Sequence, residues 1–148
     1  MRTRIAAVLV GLLATLAPAS ALPAHAASAV QITYVHYDSP GRDNGSNGSL
    51  NAEYVRIANT GTRAVSLKNW TLRDTSGHIY LFGTYTLRAG STVTVRTGTG
   101  TDTSTYRYQR RNAYVWNNDR DTALLRSAGN VLVDSCRWTR PGTGKISC

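Results

Sequence analysis

The sequence predicts an all-β domain of the sandwich or barrel kind, carried behind an N-terminal export signal. Three observations lead there. Short runs of β-branched and aromatic residues recur from Val30 onward, separated by Gly, Asn, Asp and Ser turns. No helical periodicity is sustained after residue 26. The chain opens with the basic, apolar, small-residue order of a secretory signal.

Arg2 and Arg4 form the basic start, and Ile5 to Ala17 follow without a charge. Pro18 then leads to Ala24-His25-Ala26, a small-x-small cleavage site. Cleavage is expected after Ala26, with Ala21 or Ala27 as alternatives. The apolar run is shorter than the roughly 20 residues that span a bilayer. Arg2 and Arg4 are not adjacent, so the twin-arginine route is not indicated. The expected organisation is a signal over 1–26 and one domain over 27–148, secreted and free of the membrane.

The strands follow in order. Val30 to Tyr37 is β-branched and aromatic, and Tyr54 to Ala58 alternates before the Asn59-Thr60-Gly61 turn. Ala64 to Leu67, with Trp70 and Leu72, gives apolar positions at period two. Ile79 to Phe82, Ser91 to Arg96, Ala113 to Trp116, Thr122 to Arg126 and Val131 to Val133 complete the set. The expected core is built on Ile32, Val55, Ile57, Val65, Leu67, Trp70, Leu72, Phe82, Leu87, Val93, Val95, Leu124, Val131 and Val133.

Charge and cysteines narrow the class. Removing Arg2 and Arg4 from 17 Lys+Arg leaves 15 cations against 8 carboxylates, a formal +7 for the mature chain. These charges are spread along the chain, with Arg110-Arg111 the only adjacent basic pair of the mature chain. A basic tail is therefore excluded. Such a balance suits a solvated surface, or attraction to nucleic acid, acidic wall polymers or anionic lipid. Cys136 and Cys148, an even pair in an exported chain, are expected to form a disulfide.

Two irregular segments interrupt the strands. Gly98 to Thr105 is rich in Gly and Thr and reads as a flexible crossing at an edge. Asp38 to Asn51 is a polar loop with Gly41, Gly45, Gly48 and Pro40, unusually long for a hairpin. Its Asp43-Asn44-Gly45-Ser46-Asn47-Gly48 run fails as an EF-hand: Gly45 stands at position 3 of the loop and Tyr54 at position 12, where oxygen ligands are needed. Another oxygen site, holding calcium, would use Asp38, Asp43 and Glu53. The alternative is plain turn chemistry, with Asx side chains bonded to their own backbone. No cofactor is otherwise expected.

Catalytic patterns are missing. His36 and His78 belong to no recognisable motif, and Ser46 lacks the nucleophile elbow. Glu53 is the only glutamate, and spacing assigns no carboxylate pair. Tyr106-Arg107-Tyr108-Gln109-Arg110-Arg111 interleaves rings and cations. In a strand, Tyr106, Tyr108 and Arg110 would share one face, with Arg107 and Arg111 on the other. Rings can stack on bases while Arg meets phosphate. The competing reading is an edge strand that arginines protect from aggregation.

Several stretches resemble one family. Asn51 to Gly61 resembles the opening strand of lamin-tail domains. Val65-Ser66-Leu67-Lys68-Asn69-Trp70-Thr71-Leu72-Arg73-Asp74 is similar to their V-x-L-x-x-W-x-L-x-D signature. Leu87 to Val93 resembles the L-x-x-G-x-x-V that follows, Trp116 to Leu125 the later W-N-x-x-G-D segment, and Gly129 to Asp134 the closing strand. Arg120 stands where that pattern usually has Gly. The resemblance spans roughly Val30 to Trp138 and implies an immunoglobulin-like β-sandwich without catalytic residues. Lamins carry the domain behind a coiled-coil rod, and no heptad occurs here, so filament assembly is not implied.

The expected function is a secreted, non-catalytic, monomeric binding or adhesion module. Its partner would be nucleic acid or an acidic cell-wall polymer, met by Tyr106, Arg107, Tyr108, Arg110 and Arg111. A structural extracellular or cell-wall protein without a ligand is the second reading, and an enzyme accessory or hydrolase the third.

Overall fold

The computed structural model describes residues 28–139 and 142–148; the signal expected over 1–26 lies outside them. The chain runs β1 (Val30–His36), α1 (Asn47–Ala52), β2 (Tyr54–Asn59), β3 (Val65–Ser66), β4 (Thr71–Arg73), β5 (Ile79–Leu81), β6 (Thr86–Leu87), β7 (Thr92–Arg96), β8 (Tyr106–Tyr108), β9 (Asp121–Arg126), β10 (Leu132–Trp138) and β11 (Lys145–Ser147). One sheet has the order β11-β1-β2-β7-β8, the other β10-β9-β4-β5, and β3 pairs β6 apart. Packed face to face, the two sheets make the expected immunoglobulin-like β-sandwich.

Alternation explains the packing. In β2, Val55 and Ile57 are fully buried while Arg56 is exposed; in β7, Val93 and Val95 are fully buried and face the same core. They meet Leu72, Ala123, Leu125, Cys136 and Trp138 of the other sheet in one core. Tyr37 stacks on Trp138 with centroids 4.8 Å apart, and Trp116 meets Trp138 edge-on at 6.1 Å.

Several expectations are corrected. Leu124 points away from the core, which takes Ala123 and Leu125 instead. The phase is set by Asp121, whose buried carboxylate accepts from the amides of Thr75, Asn117 and Thr122 and from the Thr75 hydroxyl. Val131 is 66% exposed, because it lies in the turn before β10, beside Asn130 at φ 61°. Val65, Trp70 and Val133 are only half-buried, packed against the core rather than within it. Ala113 to Trp116 is not a strand, because its Val115 and Trp116 amides are claimed by the Glu53 carboxylate. The loop over Asp38 to Asn51 holds one short helix, too short to show a period, with Ser46 as N-cap accepting from the Ser49 amide. Arg120 keeps a negative φ, so the turn does not need the family's glycine.

Cys136 of β10 is bonded to Cys148, which follows β11, with Cα atoms 5.7 Å apart. The bridge therefore joins the two sheets. The Cys148 amide also donates to the Thr33 carbonyl at 3.0 Å.

Candidate functional site

The Asp38–Glu53 region was the first candidate. Its only glutamate is buried, at 1% exposure, where α1 meets β2. Glu53 Oε1 accepts the Trp116 amide at 2.9 Å and Oε2 the Val115 amide at 3.1 Å. Burial pushes its carboxyl up to about 7, against the opposing pull of the Thr97 hydroxyl and those two amides, with the Asp43 charge adding to the rise. Asp38 accepts from the Asn118 side chain at 3.1 Å, and Asp43 lies in the exposed part of the loop. Among the described residues no group of three His, Cys, Asp or Glu side chains could hold a metal ion. Glu53 instead organises the interior.

The histidines are also structural in their contacts. His36 Nδ1 donates to the Ala52 carbonyl at 2.6 Å, which fixes the ring over the end of α1. His78 Nδ1 lies 2.5 Å from Asp74 Oδ2, while Asp74 Oδ1 accepts the Ser76 and His78 amides. Asp74 thereby closes the turn between β4 and β5.

The 106–111 segment divides in two. Tyr106 to Tyr108 form edge strand β8, which runs parallel to β7 with Thr94 opposite Tyr106 and Arg96 opposite Tyr108. Tyr108 lies against Gly100, where a Cβ would stand 2.3 Å from the ring. Arg107 turns the other way, its guanidinium 4.1 Å from the centre of the Tyr85 ring and bonded to the Thr103 carbonyl. Strand alternation ends there. Arg110 adopts φ 59° and does not continue the Tyr106–Tyr108 row. It pairs with Asp102 at 3.4 Å, and Arg111 donates to the Ile79 carbonyl at 3.1 Å. Both cations are therefore engaged within the fold.

The structure instead gathers rings and cations across the outward face of the five-stranded sheet. One row of register partners runs Ser147, Tyr34, Arg56, Thr94 and Tyr106. The next runs Lys145, His36, Tyr54, Arg96 and Tyr108. A bulge between Ile32 and Tyr34 turns Tyr34 onto this face. The Arg56 guanidinium lies 5.2 Å from the Tyr34 ring centre and 5.3 Å from that of Tyr54. Arg96 lies 5.6 Å from Tyr54 and 4.9 Å from Tyr106. Tyr34 and Tyr54 are themselves stacked, with centroids 5.9 Å apart. Burial, then the neighbouring Tyr54, raise the Tyr34 hydroxyl pKa, and Arg56 opposes them.

Neither row contains a carboxylate. Among the described residues Arg56 and Arg96 form no ion pair, although Arg96 also donates to the Asn51 carbonyl at 2.5 Å. Guanidiniums braced against rings keep their charge and lose little further freedom on meeting an anion. Sequence reasoning missed this face because its members come from five separate strands. The signal was present as Tyr54-x-Arg56, Thr94-x-Arg96 and Tyr106-x-Tyr108, each at period two.

Comparison with curated proteins finds no match. A sequence profile of the Lamin Tail Domain matches residues 23–140, most of the chain and both sheets apart from β11. The motif order, the two-sheet sandwich and this match agree: the chain belongs to the lamin tail domain family.

Proposed function

We propose that the protein is an exported, non-catalytic binding module whose ligand is an extracellular polyanion, held on the outward face of the five-stranded sheet. The observation that carries this reading is the pair Arg56 and Arg96, braced by Tyr34, Tyr54 and Tyr106 and without carboxylate partners among the described residues. Lys145 extends the same positive row toward β11. The formal +7 of the mature chain adds long-range attraction. Family membership favours a module over an enzyme, since the lamin tail domain is an immunoglobulin-like fold. Export rests on the order of residues 1–26. Among the described residues no helix is long and apolar enough to cross a membrane.

The test is a salt-dependent binding panel on the mature protein, using nucleic acids, inorganic polyphosphate and an acidic wall polymer. Binding should weaken linearly with the logarithm of salt, because neutralised phosphates release counterions. Absence of binding to every polymer at low ionic strength would leave a purely structural extracellular protein as the better account.

A further inference from the structure

Tyr34, Tyr54 and Tyr106 support the two arginines. One ring on the face does not serve that purpose. Tyr108 braces no guanidinium among the described residues, yet it lies in the Tyr54–Arg96 row and packs closely over Gly100. Any side chain at Gly100 would displace it. Tyr106, two residues away in β8 and on the same face, is 38% exposed. The face thus offers aromatic surface beyond what holding two cations requires.

Resting on the polyanion reading above, we propose that this face binds single-stranded nucleic acid, crossing the strands from Lys145 to Tyr108. Phosphates meet Arg56, Arg96 and Lys145, and bases stack on Tyr106 and Tyr108. The path spans five strands, or about 19 Å at the usual inter-strand spacing, enough for a few nucleotides. Duplex DNA fits the chemistry poorly. Its base faces are already covered by neighbouring pairs, so the rings gain nothing from it. A wall polymer without flat rings likewise uses only the cations. Guanidinium groups held beside tyrosine rings add further surface on which an unstacked base can lie.

Three probes separate these cases at low and moderate salt: a 20-nucleotide oligo-dT, a 20-base-pair duplex, and inorganic polyphosphate of comparable charge. Oligo-dT should bind roughly tenfold or more tighter than the other two, the scale of one base–aromatic stack. Tyr108→Leu should lose most of that preference while polyphosphate affinity stays within about twofold, since the braced arginines remain. If Tyr108→Leu does not melt like the wild type, Tyr108→Phe, which keeps the ring, should retain the preference and carries the comparison. Equal binding of all three probes by the wild type would overturn the single-strand assignment and leave the polyanion reading standing. Failure of all three to bind would overturn both. An oligo-dT preference that survives Tyr108→Leu in a folded variant would overturn the placement of the bases.

Discussion

The Glu53 carboxylate accepts the Trp116 amide at 2.9 Å, tying the start of β2 to a segment 63 residues later in the chain. The contact replaces a strand pairing: two successive amides are satisfied by one side chain, so the 113–116 segment needs no neighbour. It also sets a pH dependence. Glu53 is held at about 7 in the fold against an ordinary value of 4.5, so the folded state grips the proton more tightly than the unfolded state. That contribution is complete below about 4.5 and is lost as pH rises toward about 7, a difference on the order of 3 kcal/mol.

Thermal melts at pH 5 and pH 8 should therefore show the wild type losing stability at the higher pH. Glu53→Gln, which cannot ionise, should lose less across the same interval. Glu53→Ala should be weaker at both pH values by about 2–5 kcal/mol, because two buried amides lose their acceptor. Parallel pH slopes for wild type and Glu53→Gln would show that this carboxyl is not the group responsible.

The two arginine sets are expected to behave differently in duplex DNA binding. Arg56→Gln with Arg96→Gln should flatten the salt slope by up to about two units. Arg110→Ala with Arg111→Ala should change it little, since those side chains are engaged with Asp102 and with the Ile79 carbonyl. A reversal of this order would return the site to the 106–111 segment.

Tryptophan truncations should rank by burial. Trp138 is 4% exposed, stacks on Tyr37, and donates its indole N–H to the Asn117 carbonyl at 2.7 Å. Trp138→Ala should cost about 3–5 kcal/mol. Trp70→Ala, at a half-buried position, should cost roughly 1–2 kcal/mol. Denaturant titrations measure both, and an equal or larger loss at Trp70 would contradict the packing.

Breaking the Cys136–Cys148 bridge with paired serines should lower stability by roughly 3 kcal/mol in the chain-entropy view. The loss should be matched by reduction of the native protein. Reactive thiols in the native, unreduced protein would show that the bridge is not formed.

How much was legible from the chain depends on the range of the interaction. Local alternation placed Val55, Ile57, Val93 and Val95 inside, and these are buried at 0% exposure. The lamin-tail motifs indicated the sandwich, and an even pair of cysteines behind an expected export signal indicated their bridge. These features depend on period two, on short motifs or on simple pairing, all of which lie within the order of residues. The phase of β9 was missed because Asp121 draws its donors from Thr75 and Asn117, outside its own strand. The role of Glu53 was missed because its partners lie across the fold. The Tyr–Arg face was missed for the same reason: β1, β2, β7 and β8 each supply one or two members, and only their registers bring them together. Residue order determined which side chains of β2 and β7 face the core, though not the phase of β9. Tertiary structure decided which side chains are neighbours, because register and the sandwich's crossovers join strands that are distant in sequence.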